Sequence, residues 1–132
     1  MGLVIDTCVF VSAERKGQIF SANDLEFYEN VYMSAITLSE LLVGVHLAST
    51  EAKRLKRSAF VETIAKEIMV LDFTAETARL HAELDAYLTK KSNQIGAHDL
   101  LIAATALTFG YALLTSNSKE FERVPGLQVV KF

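Results

Sequence analysis

Asp6 sits within an apolar and small-residue stretch, GLVIDTCVFV (2–11), where a carboxylate is out of place. Taking it out of water is expensive unless a cation or hydrogen-bond donors compensate the charge. Glu40, in SAITLSELLVGV, and Asp99, in GAHDLLIAATAL, raise the same problem inside apolar helical patterns. A fourth acid, Glu120, follows the run LLTSNS. Carboxylates brought together repel one another and shift toward protonation unless a cation joins them. Oxygen ligands without a cysteine pair or paired histidines suit Mg²⁺ or Mn²⁺ rather than zinc. Such ions activate water and bridge phosphate oxygens, so hydrolysis of a phosphodiester is the chemistry these residues suit.

Each acid also has a structural reading. Thr37 and Glu40 have the spacing of a capping box, in which the glutamate turns back to the first amide of its helix. Asp99 stands in a first helical turn, where the helix dipole favours an acid. Glu120 and Glu122 read as solvated charges, and Thr115, Ser116, Asn117 and Ser118 as turn residues and caps. What weighs against four separate explanations is position. The acids come from distant parts of the chain, and each falls where an element starts or stops.

The elements that position them are short. Apolar runs predict strands over 3–5, 31–33, 68–71, 112–114 and 127–130, several apolar at consecutive positions as strands covered on both faces are. Helical periodicity predicts helices over 37–48, 74–91 and 97–109, the last apolar almost all round. Leu38, Leu41, Leu42 and Val45 form the core stripe of the first of these, and Glu40 shares the opposite face with Val43, Gly44 and Leu47. Pro125-Gly126 fits the centre of a type II turn before the last strand. Alternating strands and helices predict an α/β fold with a central parallel sheet, and in such sheets ligands bind beyond the carboxyl ends of the strands. Asp6 and the 115–120 stretch lie at two such ends.

With 132 residues, a net charge of −3 and 22% charged residues, the chain has the profile of one globular domain. The acidic balance does not announce a nucleic-acid binder, but a protein that reaches phosphate through a cation can be acidic. The longest apolar run, 100–114, is too short and too interrupted to cross a bilayer. No signal-peptide pattern opens the chain, and its single cysteine cannot form an internal disulfide. A cytoplasmic location is therefore expected.

These segments resemble the PIN-domain ribonucleases, and within them the VapC-type toxins of bacterial toxin–antitoxin pairs. VIDTCVFV resembles the opening strand with the family's first metal-binding aspartate, here Asp6. SAITLSELLVGV is similar to the segment carrying the glutamate, Glu40, and GAHDLLIAATAL to that carrying the next aspartate, Asp99. LLTSNSKEFERVPGL is similar to the C-terminal stretch. The resemblance covers 1–132 as a single PIN domain. It implies a three-layer α/β/α sandwich around a parallel sheet, Mg²⁺- or Mn²⁺-dependent cleavage of RNA, a transfer RNA among the candidate targets, a homodimer, and a cognate VapB-like antitoxin. Asp6, Glu40, Asp99 and Glu120 become the metal-holding and catalytic acids, with Thr7, Thr115 and Asn117 in support. Many relatives carry an aspartate where this chain has Asn117; an amide is a poorer ligand, so a second metal binds weakly there or only with substrate. Cys8, where asparagine or serine is common, reads as a small packing residue.

Several other features attract attention. Lys53, Arg54, Lys56 and Arg57 form a basic stretch that reads as a solvated helix face, with RNA phosphate contact as the alternative. Lys119 and Arg123 lie closer to the expected site and are the candidate phosphate contacts. His98 reads as a helix-end residue, and Tyr28, Tyr32, Tyr87 and Tyr111 as core or interface residues. A rival from another class is a receiver-type signalling domain phosphorylated on Asp72, which follows the strand IMVL; it leaves Glu40 and Asp99 without a role. A PIN relative that binds RNA or a partner without cutting is the third reading.

Overall fold

Short strands that are apolar at consecutive positions need cover on both faces, and the chain supplies it with its earlier helices on one face and its later ones on the other. A computed structural model describes residues 2–17 and 30–132; Tyr28 lies outside the described residues. The elements are β1 (Gly2–Ile5), α1 (Thr7–Arg15), β2 (Asn30–Ser34), α2 (Ala35–His46), α3 (Glu51–Glu67) and β3 (Met69–Leu71). They continue with α4 (Ala75–Lys90), α5 (Ala97–Phe109), β4 (Ala112–Thr115), α6 (Ser118–Phe121) and β5 (Val129–Lys131). All neighbouring strands pair in parallel, in the order β3-β2-β1-β4-β5. Alternate residues then face opposite layers. Leu3, Ile5, Ala112 and Leu114 pack against Val9 and Phe10 of α1, Leu41 and Val45 of α2, and Val61 and Ile64 of α3. Val4 and Leu113 point the other way, onto Leu84 and Leu88 of α4 and the small residues Ala103, Ala104 and Ala106 of α5. This is the three-layer α/β/α sandwich.

The strand order reverses between β1 and β4. Successive connections carry the chain outward from β1 to β3, and then return it to the other side of β1. Parallel sheets open a crevice at such a switch point. Here the backbone N–H of Asp6 donates to the carbonyl of Leu114 (2.9 Å), extending the pairing of Ile5 with Leu114 by one bond. Asp6 and Thr115 are thereby side by side at the mouth of the crevice.

Two helix starts differ from expectation, and both bear on the site. α1 is not evident in the periodicity, because the β-branched and aromatic run Val9-Phe10-Val11 reads as strand. Asp6 ends the strand and caps the helix in one step, its side chain accepting the N–H of Thr7. α2 begins two residues earlier than its periodicity suggests. Its cap is Ser34, fully buried, whose Oγ accepts the N–H of Thr37 at 3.1 Å. Thr37 is thus inside the helix, Glu40 is not at the capping-box position, and its carboxylate is left for other contacts. Val43 and Leu47 are 51% and 77% exposed, so the face expected to be apolar beside Glu40 is open to solvent. Thr74 caps α4, its Oγ1 accepting the N–H of Thr77 at 3.1 Å. Gly126 has φ 78° between Val124 and Leu127, whose carbonyl and N–H meet at 3.4 Å, as the expected turn requires.

Tyr32 and Tyr111 stack with ring centroids 4.7 Å apart, and Tyr111 lies over Gly2 so closely that a Cβ there would come within 2.5 Å of the ring. Among the described residues no helix is long and apolar enough to cross a membrane. Replacing Ser34 with alanine removes the α2 cap and leaves the buried Thr37 N–H without its partner. The expected loss is about 1 kcal/mol, read as a lower urea midpoint; an unchanged midpoint would show that the helix start does not depend on this hydroxyl.

Candidate active site

Three structural facts place the acids. β1 ends at Ile5, so Asp6 leaves the sheet at the switch point, only 4% exposed. α2 starts at Ser34 directly after β2, which carries Glu40 over the same end of the sheet. α5 opens at Gly96 and holds Asp99 in its first turn, without a side-chain cap. Asp6, Glu40 and Asp99 all line one cleft of about 590 Å³, together with Thr7, Cys8 and Asn117.

Asp6 is compensated by donors from both sides of the crevice. Its Oδ1 accepts the Thr7 N–H at 2.9 Å; its Oδ2 accepts the Thr115 hydroxyl at 2.7 Å and the Cys8 thiol at 3.2 Å. The N-terminus of α1 adds its positive dipole end. Cys8 is therefore a polar contact of the acid and not only a packing residue; its sulfur also accepts the Ser116 hydroxyl at 3.1 Å. The Thr7 hydroxyl donates to Glu40 Oε1 at 2.8 Å, with a longer branch to Thr37 Oγ1 at 3.0 Å. Thr7 thus ties the first acid to the second. Glu40 Oε2 lies 3.5 Å from His98 Nδ1, an ion pair whenever the imidazole is protonated. His98 belongs to the site's rim as well as to a helix end.

Glu120 is held differently. Its Oε1 accepts the N–H of Gly96 at 2.7 Å, and its Oε2 accepts the side-chain amide of Asn117. These two hydrogen bonds, in that order of weight, lower its pKa below the usual glutamate value. Glu120 does not line the cleft, and neither do Lys119 or Arg123; Arg123 donates to the Gln94 carbonyl at 3.0 Å. The acid nevertheless approaches Asp99 across Gly96. A Cβ built on Gly96 would stand 3.2 Å from Asp99 Oδ2 and 3.6 Å from Glu120 Oε1, so the bare glycine makes room for both carboxylates. Asp99 carries the cost of the crowd. Burial first, then the charges of Asp6, Glu120 and Glu40, push its pKa up to about 6.

The donor set can be tested against a divalent ion. Among the described residues no three acids, histidines or cysteines are close enough to enclose an ion as they stand. Mg²⁺ keeps several of its waters and is commonly bound through one or two carboxylates, so a ready-made cage is not required. The repulsion recorded at Asp99 is what a cation among these oxygens would relieve. The residues fit Mg²⁺ or Mn²⁺. Arg15 and Lys16, also on the cleft wall, had no sequence signal, since a basic pair at a helix end is commonplace. The basic stretch on α3 is largely occupied: Arg54 pairs with Glu51, and Arg57 donates to the Gly44 carbonyl at 3.0 Å and faces Glu14 at 3.7 Å.

The raised pKa of Asp99 has a consequence for stability. Between its ordinary value of 3.8 and about 6, the folded protein holds a proton that the unfolded chain releases. Stability of the metal-free protein therefore falls as pH rises through that window. Asp99→Asn is expected to melt higher than the parent at pH 8 in chelator and to lose most of that pH dependence. Equal melting temperatures at pH 8 would show that Asp99 is not under this repulsion.

The PIN domain family model matches residues 3–127. Over 130 residues the chain is 43% identical to the ribonuclease VapC1 of Rickettsia felis, covering 98% of this chain and 96% of that protein. It is 30% identical over 124 residues to the tRNA(fMet)-specific endonuclease VapC of Salmonella typhimurium, covering 94% and 91% of the two chains. The fold matches VapBC2 from Rickettsia felis, solved bound to a DNA fragment from its promoter, with a TM-score of 0.90 at 30% identity over 100% of this chain and 99% of that one. A receiver-type domain is not favoured, since Asp72 is exposed beyond the edge strand β3 and does not line the cleft. The chain belongs to the PIN-domain family and, within it, to the VapC ribonucleases.

Proposed function

We propose that this protein is a divalent-metal-dependent endoribonuclease that hydrolyses RNA phosphodiester bonds as the toxin of a VapBC pair. A cognate VapB-like antitoxin restrains it, and it acts in the cytoplasm as a homodimer. The observation that carries the reading is the meeting of Asp6, Glu40 and Asp99 on one cleft at the switch point of the sheet. The VapC relatives and the VapBC complexes of the same fold support it.

Asp6, Glu40 and Asp99 would hold the ion, Mg²⁺ or Mn²⁺, with Glu120 as the neighbouring acid at the rim. When bound, the ion supplies positive charge to the developing phosphoryl oxyanion and makes a water more acidic. The side chains do the rest. Thr115, Cys8 and the Thr7 N–H fix both oxygens of Asp6, so the carboxylate meets the substrate in one orientation. Thr7 fixes one oxygen of Glu40 and leaves the other toward His98 and the cleft. Asp99, its pKa pushed up to about 6 by burial and its acidic neighbours, is still mostly ionised at neutral pH and presents a charge that those neighbours oppose. Glu120, through Gly96 and Asn117, pins the start of α5 to the loop after β4 and so steadies Asp99.

Asp6→Asn is expected to abolish most RNA cleavage while leaving the circular dichroism and melting curve native-like. Thr115→Val, which removes only the hydroxyl on Asp6, is expected to lower the rate by about 10–100-fold, the usual effect of losing a ligand-orienting partner. Cleavage of an oligoribonucleotide with added Mg²⁺ measures both. Full activity in Asp6→Asn would overturn the mechanism.

A further inference from the structure

An acidic protein that cuts RNA at a cluster of carboxylates must still hold the polyanion there. The net charge is −3, and the cleft wall carries Asp6, Glu40 and Asp99. We propose that Arg15 and Lys16, at the C-terminal end of α1, bind the RNA phosphates that flank the scissile bond. This assignment rests on the ribonuclease reading above. Arg15 and Lys16 are the cations among the residues lining the cleft, and both are exposed. Their side chains make no ion pair or hydrogen bond with a described residue, so both are available to a ligand. Cations at a helix C-terminus also complement the dipole, but that effect needs no cleft and explains none of its lining.

The other basic groups are less suited. Arg54 and Arg57 are engaged on α3, Arg123 is bound to the Gln94 carbonyl, and Lys119 is off the cleft wall. Arg15 has a further property. It also lines a second cavity, of about 210 Å³, with Glu14, Glu40, Leu41 and Arg57, and thus stands where the two spaces meet. An RNA strand that ran from one space into the other would pass Arg15. Arg15 and Lys16 would then set which way the RNA runs across the acids, as positioning residues rather than groups that touch the reacting atoms.

The test uses the full chain carrying Asp6→Asn, so that a single-stranded oligoribonucleotide of mixed sequence is bound without being cut. Log Kd is measured against log salt in the presence of Mg²⁺. Each phosphate contact to a single strand contributes about 0.7 to the slope. Adding Arg15→Gln and Lys16→Gln together is expected to flatten the slope by about 1.4. Arg15→Lys, which keeps the charge, should retain it, and Lys56→Gln on α3 should leave it unchanged. In otherwise wild-type protein the double variant should raise KM for cleavage far more than it lowers kcat. An unaltered slope in the double variant, with the parent still binding steeply, overturns the assignment and leaves the ribonuclease reading intact. The same holds if the double variant loses affinity for the antitoxin alone, or if Lys56→Gln takes the slope instead. A wild-type protein that neither binds nor cuts RNA overturns both.

Discussion

The constraint on which this molecule is built is the burial of one carboxylate at the place where a parallel sheet changes direction. Asp6 is almost wholly removed from water, and its charge is met by donors from two strands' ends. That arrangement fixes more than the acid. The Thr115 hydroxyl reaches Asp6 only in the register that pairs Ile5 with Leu114. A slip by one residue would turn every side chain of β4 to the wrong layer. The Thr7 N–H reaches Asp6 only if α1 starts there, and the same residue's hydroxyl then meets Glu40. Sheet register, helix start and the spacing of two acids are therefore set by one network.

The acids themselves were legible in the sequence because polar residues in apolar surroundings are conspicuous. Asp6, Glu40 and Asp99 each stand out against their neighbours, and all three meet on the cleft. The strands and the longer helices were legible for the reason that makes them stable, their apolar periodicity. What could not be read depends on tertiary choices. Ser34 and Thr37 are equally good caps by type, and only the exit of β2 decides that Ser34 is used. α1 has strand-like composition, and its helix is imposed by Asp6 capping it and by Val9 and Phe10 packing on the sheet. Arg15 and Lys16 gain meaning only from the cleft that α1 points them into, a relation between elements that no local pattern carries.

The two acids flanking Gly96 show how one site can shift two carboxylates in opposite directions. Glu120 receives a backbone N–H and an amide, and its pKa is lowered. Asp99, across Gly96, receives no such donors among the described residues and faces three negative neighbours, and its pKa is raised. Environments that push paired acids apart in this way are how proteins divide roles among identical groups. Asn117 takes part in the division. An aspartate there would face Glu120 as a second anion, whereas the amide donates to it and closes the loop onto α5. The neutral side chain thus joins the loop to the acid that an anion there would repel.

A cleft organised in this way is destabilising by construction. The crowding around Asp99 weakens the fold once that acid is ionised, which is the familiar opposition between a working site and a stable one. The molecule offsets it locally rather than globally: donors on Asp6, a hydroxyl on Glu40, a backbone amide on Glu120. Asp99 is left to carry the repulsion, because its helix begins with a glycine that offers no side-chain cap and the N–H of that glycine is spent on Glu120. The least compensated acid is also the one whose pKa the crowding raises most clearly, so the energetic weak point of the fold lies inside the cleft itself.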